Sequence, residues 1–576
     1  MRYFIKYSKK TQSNFIFNLL TFLIIASILI FIAWGLKQMA APIAVLEQQP
    51  VTLEYSNLLQ YSLRTLLRML IAVIISLIFT FIYASLAVKS KKCEQILIPL
   101  LDILQSLPIL GYISFTVTVF LALFPSSIMG AECAAIFAIF TSQVWNMTFS
   151  FYYSLKNIPQ ELHDAAYIFR MSKWRQFWQV SVPYAVPGLV WNIVVSISSG
   201  WFFVVASEVI TVGNTHITLP GIGSYIALAI TQKNLYAISS AIMSMSLVII
   251  LYDQLLLRPL VAWSDRFRYE MNAGNNAPYS WALNLFQRSL IIQKLFSPIA
   301  YIAKFILYLP ILNRYSEINS SSSNNFSNNP SWSDYLWYTM LGGIACFSAY
   351  YIYHFLHYDI GGSELLNVFV LASITMLRVV VLITLAAIIW VPIGIYVGLN
   401  PRVTAIVQPL AQFFAAFPAN LLFPIVFIII TRYDLNPNIW LSPLMIMGAQ
   451  WYILFNVIVG ASTIPNDLKD ATKIFRVSGW NWWFKVMLPA ITPYFITGAI
   501  TASGGAWNAS IVAEIINFGD RKIAASGIGS YIAEMTIKAD FNKIVLGMGI
   551  MALFVVLFNR LFWQPLNEYS IKRFQL

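Results

Sequence analysis

Residues 158–183 read IPQELHDAAYIFRMSKWRQFWQVSVP, and residues 464–489 read IPNDLKDATKIFRVSGWNWWFKVMLP. At a constant spacing of 306 residues, 12 of the 26 positions are identical. The same spacing pairs Trp201 with Trp507, Glu208 with Glu514 and Pro259 with Pro565, and it pairs the two occurrences of GIGSYIA at 221–227 and 527–533. Upstream the spacing becomes 310, matching Arg68 with Arg378, Pro99 with Pro409 and Pro108 with Pro418. One four-residue indel explains the change, so the chain reads as a fused tandem of two similar units.

The units lie in a membrane. The 576 residues are 59% apolar and only 10% charged, with a mean hydropathy of +0.70. Soluble domains carry about 45–50% apolar and about 25% charged residues. Disordered, collagen-like and disulfide-rich classes are excluded by the same figures. A bilayer core about 30 Å thick needs about 20 helical residues. Runs of that length predict spans near 15–36, 63–88, 97–124, 128–153, 186–212 and 235–258. A second series falls near 334–356, 366–398, 405–431, 438–461, 492–517 and 541–563. The expected fold is therefore all-α and polytopic, with six spans plus six.

The net charge of +13 would suggest nucleic acid in a soluble protein. Here it reports orientation, because cytoplasmic loops hold an excess of Lys and Arg. Arg2, Lys6, Lys9 and Lys10 precede a first run too long for a cleaved signal, which reads as a retained anchor with its N-terminus inside. Lys89, Lys91, Lys92, Lys156, Arg170, Lys173, Arg175, Arg258, Arg266 and Arg268 then fall inside, as do Lys469, Lys473, Arg476, Lys485, Lys572 and Arg573. Arg432, Arg521 and Lys522 fall outside. Both termini are expected in the cytoplasm. The domain reading is a first unit at 1–264, a cytoplasmic linker at 265–333 and a second unit at 334–576. Within the linker, 289–312 reads as a helix on the inner membrane surface and 319–329 (NSSSSNNFSNN) as a flexible tract.

The repeated polar segment carries the mechanism. Pro159 and Pro465 suit helix starts, and Glu161 and Asp467 suit the positive first turn. Leu162, Ala165, Ala166 and Phe169 recur at helical spacing and form a small apolar face. Leu468, Ala471 and Phe475 repeat it. One such helix could rest on the inner leaflet or on its own bundle. Two at matched positions suit docking to a dimeric partner.

These residues resemble the EAA loop of binding-protein-dependent ABC permeases, here at 154–183 and 462–489. Asp164-Ala165-Ala166 and Asp470-Ala471-Thr472 match its acidic-Ala-Ala start. Val180-Ser181-Val182-Pro183 and Val486-Met487-Leu488-Pro489 match its I-x-L-P end. Arg170 and Arg476 stand where the family has Gly, a departure that bears on the tight turn that Gly provides and on the fit to the ATPase. Trp201 to Glu208, Trp507 to Glu514 and the GIGSYIA after each are similar to the nitrate/sulfonate/taurine branch. The resemblance covers roughly 55–265 and 360–570. It implies two type I importer units whose coupling helices seat in two ABC ATPase subunits, expected as a homodimer. It also implies an external binding protein, periplasmic or lipid-anchored, as a further partner, and a bacterial inner-membrane location. The chain contains no G-x-x-x-x-G-K-[ST], so ATP and Mg are expected on the partner, with no cofactor here.

Ionisable groups within spans are costly and mark candidate pathways. Arg68 and Arg378, on a pseudo-two-fold axis, could attract an anion or snorkel to headgroups. Glu208 and Glu514 could pair with them or shape a gate. Trp201, Trp507 and Asn508 are further pathway candidates, although small and polar residues near them also permit close packing. His354 and His357 lack further ligands, so no metal site is expected. No nucleophile triad or paired carboxylate stands out, so the chain reads as a transport subunit rather than an enzyme. An ion-gradient-driven secondary transporter and a membrane scaffold for ATPase partners remain the alternatives.

Overall fold

The computed structural model describes residues 15–39, 41–42, 50–125, 127–212, 215–267, 280–288, 332–462, 464, 466–518 and 521–574, with isolated residues between 297 and 308. Unit one runs α1 (Phe15–Met39), α2 (Tyr55–Lys89), α3 (Lys91–Ser106), α4 (Ile109–Leu123), α5 (Ile128–Lys156), α6 (Gln160–Ile168) and α7 (Lys173–Ser207). A hairpin of β1 (Val209–Val212) and β2 (Thr215–Thr218), then α8 (Ile222–Thr231) and α9 (Leu235–Phe267), complete it. A short α10 (Trp281–Arg288) follows. Unit two repeats the order with α11 (Trp332–His354), α12 (Gly362–Leu399), α13 (Pro401–Ala416), α14 (Ala419–Arg432), α15 (Pro437–Ile446), α16 (Gln450–Ser462), α17 (Asn466–Ile474) and α18 (Trp480–Ala513). Strands β3 (Ile515–Phe518) and β4 (Arg521–Ala524), α19 (Ile528–Lys538) and α20 (Phe541–Ser570) close it.

Among the described residues, seven helices are long and apolar enough to cross a membrane, or nine if each of two bent pairs is one span. Helices α1, α11 and the α3–α4 pair occupy the three remaining places of the expected six-plus-six. Three expected single spans are broken. The span at 97–124 divides at Leu107–Pro108. The span at 405–431 divides into α13 and α14, bent by 77°, and that at 438–461 into α15 and α16, bent by 43°. The cause at the first two breaks is proline, which cannot donate to the helix ladder and forces the residue before it into extended backbone.

Proline also shapes the long helices. A wide five-residue π turn precedes each of Pro183, Pro259, Pro489 and Pro565, at Phe177–Ser181, Asp253–Leu257, Trp483–Met487 and Asn559–Trp563. The proline removes one amide from the ladder, and the wider turn lets neighbouring amides reach one residue further back, as Val182 does to the carbonyl of Phe177. The I-x-L-P ending thus sets the entry of α7 and α18 into the bundle.

The expected helices over 186–212 and 492–517 stop at Ser207 and Ala513. The β-branched runs Val209–Val212 and Thr215–Thr218 pair instead as an antiparallel hairpin, with Val209 opposite Thr218 and Val212 opposite Thr215. Strands β3 and β4 repeat this, with Ile515 opposite Ala524. The core of unit one is α5 held between α2 and α7, and that of unit two is α16 held between α12 and α18. The units interlock at their breaks. Helices α3 and α4 pack on α18, α19 and α20, while α13 packs on α7 and α9. The surface helix expected at 289–312 lies mostly outside the described residues, and the tract at 319–329 entirely so.

Candidate functional site

Two regions recur in both units, at opposite ends of the long central helices. Twenty-four residues of α5 separate Glu132 from Lys156, or about 36 Å at the usual helical rise. At the Lys156 end, Lys156 bonds Glu94 at the start of α3. That bond, with one from the Tyr152 hydroxyl, holds the Glu94 carboxyl below the ordinary carboxylate range. Helix α6 follows immediately.

Helices α6 and α17 end in the same way. The amide of Arg170 donates to the carbonyl of Tyr167 at 2.9 Å, and that of Met171 to Ala166 at 3.0 Å. In unit two Arg476 donates to Lys473 at 3.1 Å and Val477 to Thr472 at 2.9 Å. This crossed pair of bonds closes a helix around a left-handed residue. Arg170 and Arg476 take that conformation, with φ of 47° and 49°. The tight turn survives without glycine, at a backbone cost of about 1–2 kcal/mol per residue.

The turn decides which apolar groups face outward, and the expected face divides. Ala166 is buried against its own chain, while Leu162, Ala165, Leu468 and Ala471 are half-buried. The outward groups are at the tip: Ile168 and Phe169 are 75% and 72% exposed, and Ile474 and Phe475 are each 78% exposed. Asp164 and Asp470 are exposed beside them. Asp164 accepts from Gln160 at 3.2 Å and Asp470 pairs with Lys473 at 2.9 Å. Arg170 and Arg476 extend from the same tip, exposed. Ile168 and Ile474 escaped the sequence reading because they lie off the Leu162 stripe. The reversal at Arg170 and Arg476 follows directly on this tip.

At the other end, each unit holds an arginine against the glutamate that terminates its fifth span. In unit one the Arg68 Nη1 donates to Glu208 Oε1 at 2.6 Å. Its Nε and Nη2 donate to the two oxygens of Glu132 at 2.6 and 2.8 Å, and Nη2 also reaches the Pro220 carbonyl at 3.0 Å. The Thr65 hydroxyl donates to Glu208 at 2.6 Å and accepts the Ile222 amide at 3.0 Å. The second Glu208 oxygen accepts the Gly223 amide at 2.6 Å, at the positive start of α8. The role of GIGSYIA is then plain. A Cβ at Gly221 would lie 2.2 Å from the Glu208 carboxyl carbon, and one at Gly223 would lie 2.2 Å from the Val205 carbonyl oxygen. The glycines let a helix start press onto a carboxylate.

Unit two rebuilds this from its own residues. Arg378 Nη1 meets Glu514 at 3.0 Å, Thr375 donates to Glu514 at 2.8 Å and accepts the Ile528 amide at 3.1 Å, and Gly529 donates to Glu514 at 2.8 Å. One member differs. Asn438, 306 residues after Glu132, takes its place and accepts from Arg378 Nη2 at 3.1 Å. Asn438 is exposed, whereas Glu132 is buried.

The pairing expected of Glu208 with Arg68 and of Glu514 with Arg378 is present in both units. Arg68 is fully buried between two carboxylates, so it presents no face to an anion in this structure. Snorkelling is equally ruled out for it, because the guanidinium turns inward. Glu208 and Glu514 are buried clamps. Trp201 and Trp507 are buried as well, Trp201 edge-on to Tyr252 with ring centroids 5.4 Å apart. Arg378 alone of the two arginines keeps some exposure, 12% of its side chain. Asn508 is half-buried at the junction of the units, where its Oδ1 accepts the Ile109 amide at 2.9 Å, just past the α3–α4 break. The matching break in unit two reaches back, with Asn420 Nδ2 donating to the Phe202 carbonyl at 3.4 Å. Glu132 and Asn438 were missed, although an acid inside an apolar span is itself a signal.

Comparison with known proteins bears on both regions. The profile described as binding-protein-dependent transport system inner membrane component matches the chain twice, over residues 76–257 and 390–563. The bicarbonate transport system permease protein CmpB of Synechococcus elongatus is 35% identical over 163 residues, which cover 28% of this chain and 54% of that protein. The nitrate import permease protein NrtB of Synechocystis is 26% identical over 192 residues, 33% of this chain and 66% of that protein. The glycine betaine/proline betaine transport system permease protein ProW of Escherichia coli is 26% identical over 188 residues, 32% of this chain and 50% of that protein. The chain thus spans between half and two thirds of the length of these relatives.

Proposed function

Because this chain belongs to the family of binding-protein-dependent transport system inner membrane components, with two copies fused in one polypeptide, we propose that it forms the whole membrane-spanning part of an ATP-driven importer for a small anion of the bicarbonate or nitrate kind. The units are 1–264 and 334–576, joined by the linker at 265–333. The solute class rests on the names of CmpB and NrtB. The single observation that carries the mechanism is the pair of matched tips, Ile168-Phe169 and Ile474-Phe475, held outward by arginines in a left-handed turn.

Taking α11 as the first span of unit two gives six crossings between α6 and α17, an even number that supports both tips on one side. Two equal apolar knobs on one side suit two ATPase subunits of one kind, which bind ATP and Mg, since this chain has no phosphate-cradling loop. Closure of those subunits on ATP moves the knobs together. Helices α5, α7, α16 and α18 carry that motion about 36 Å to the hairpin end, where the Glu208 and Glu514 clamps sit, and hydrolysis resets it. The pathway runs between the units, beside Asn508 and Asn420, where each broken span meets the fifth span of the other unit. A binding protein delivers the solute to the hairpin end. The membrane is the bacterial inner membrane, with both termini in the cytoplasm.

The test is uptake of labelled bicarbonate and nitrate into vesicles that contain the chain with its co-purified ATPase. Uptake should require ATP and persist when ion gradients are collapsed. Uptake that follows a gradient without ATP would support a secondary transporter. A bound ATPase with no uptake of either anion would support a scaffold.

A further inference from the structure

The two arginine clamps are built on one plan and differ at one partner. Around Arg68, the carboxylates of Glu132 and Glu208 face two buried cations, Arg68 itself and Arg64 one turn before it, which interacts electrostatically with Glu132. Around Arg378, among the described residues, Glu514 is the one carboxylate and the neutral Asn438 stands where unit one has Glu132. Glu132 uses the guanidinium as a planar fork, with its two oxygens on Nε and Nη2, the arrangement that favours Arg over Lys for flat oxyanions. In unit two that edge is half used. Among the described residues Arg378 donates through Nη1 and Nη2, its Nε makes no hydrogen bond, and Asn438 fills one position with a neutral oxygen.

We propose that the Nε–Nη2 edge of Arg378, with Asn438 beside it, is an entry site for a planar trigonal oxyanion at the hairpin end of unit two. The inference rests on the anion-importer reading and names its first contact. A carboxylate and a trigonal oxyanion present the same flat pair of oxygens, so the Glu132 side chain shows how such a ligand sits. Access favours unit two, because Asn438 is exposed and Arg378 partly so, while Arg68 and Glu132 are sealed. Asn438 Oδ1 also accepts the Ser526 amide at 2.8 Å, which ties the site to the turn between β4 and α19. An anion that displaces this oxygen from Arg378 would loosen the turn beside the Glu514 clamp.

The direct test is line broadening of 15N-nitrate and 13C-bicarbonate by the full chain in lipid nanodiscs. The wild type should broaden at least one signal. Asn438→Glu, which rebuilds the carboxylate fork of unit one, should weaken binding at least tenfold. Arg378→Lys, which keeps the charge and removes the fork, should do the same and reads the site if the first variant fails to fold. No broadening by the wild type, or equal broadening by the two folded variants, would overturn the proposal. Uptake separates this from the functional reading. ATP-driven uptake with an unchanged KM in Asn438→Glu would sink the site and leave the importer. Anion binding lost in that variant, in a complex that never transports, would leave the site and sink the importer.

Discussion

The carboxylate of Glu208 accepts the amide of Gly223 at 2.6 Å, so the last residue of one span fastens the first turn of the helix after the hairpin. Glu514 and Gly529 repeat the bond at 2.8 Å. Each glutamate also accepts from a threonine and an arginine of the second span, which joins three elements at one point.

Close approach at Gly223 makes it sensitive to a single methyl. Gly223→Ala would drive a Cβ into the Val205 carbonyl, and Gly529→Ala would place one 2.4 Å from the Ser510 carbonyl. Each should destabilise the chain by about 1–3 kcal/mol, the usual cost of overpacking. Gly549 has open space around its Cα, so Gly549→Ala should be neutral or stabilising by about 0.5–1 kcal/mol. Thermal unfolding of the purified variants, read against the wild type, checks the contrast.

The arginines should differ in what they hold. Arg68→Gln leaves two buried carboxylates unpaired and should cost about 3–5 kcal/mol, the range for breaking a buried pair. Arg378→Gln leaves one and should cost less. Equal melting temperatures for the two variants would show that the unit-one cluster is not the tighter lock.

A left-handed arginine is strained where glycine is not. Arg170→Gly and Arg476→Gly should each relieve about 1 kcal/mol of backbone cost and keep the helix ending. Arg170→Val should lose stability, because a β-branched residue tolerates positive φ least. Hydrogen exchange at the Met171 amide reports both effects directly.

Asn508 bridges the units through the Ile109 amide. Asn508→Ala removes the acceptor and leaves that amide without its partner, for a loss of about 1–3 kcal/mol. The loss should appear as easier separation of the units by denaturant, and a single unchanged transition would contradict it.

Much of this was legible because duplication amplifies weak signals. A 26-residue segment seen once is an amphipathic loop, but seen twice at 306 residues it marks a tandem. The spans were legible from hydropathy, whereas their breaks were not. Pro108 and Pro418 sit inside runs apolar enough to pass as continuous helices, and only packing against the other unit uses the bend. The hairpins were hidden because short apolar stretches at the end of a long apolar helix, Val209–Val212 and Ile515–Phe518, read as its last turn. Arg68 was picked out for its charge, and of the partners open to it the sequence already offered Glu208, which it meets at 2.6 Å; Glu132, 64 residues away, was not legible as the second. GIGSYIA was visible as a repeat, yet its purpose needed the Glu208 carboxylate in place beside Gly221.

The central claim is that the two tips, Ile168-Phe169 and Ile474-Phe475, transmit the ATPase cycle to the membrane bundle. Phe169→Asp with Phe475→Asp places a charge at the centre of each contact, where a buried aromatic anchor is worth about 2 kcal/mol or more. The measurement is ATP-driven anion uptake in reconstituted vesicles, with the amount of co-purified ATPase determined on the same samples. The account predicts that the double variant folds, loses the ATPase and loses uptake, while either single variant retains part of both. A folded double variant that keeps its ATPase and transports at the wild-type rate would contradict it.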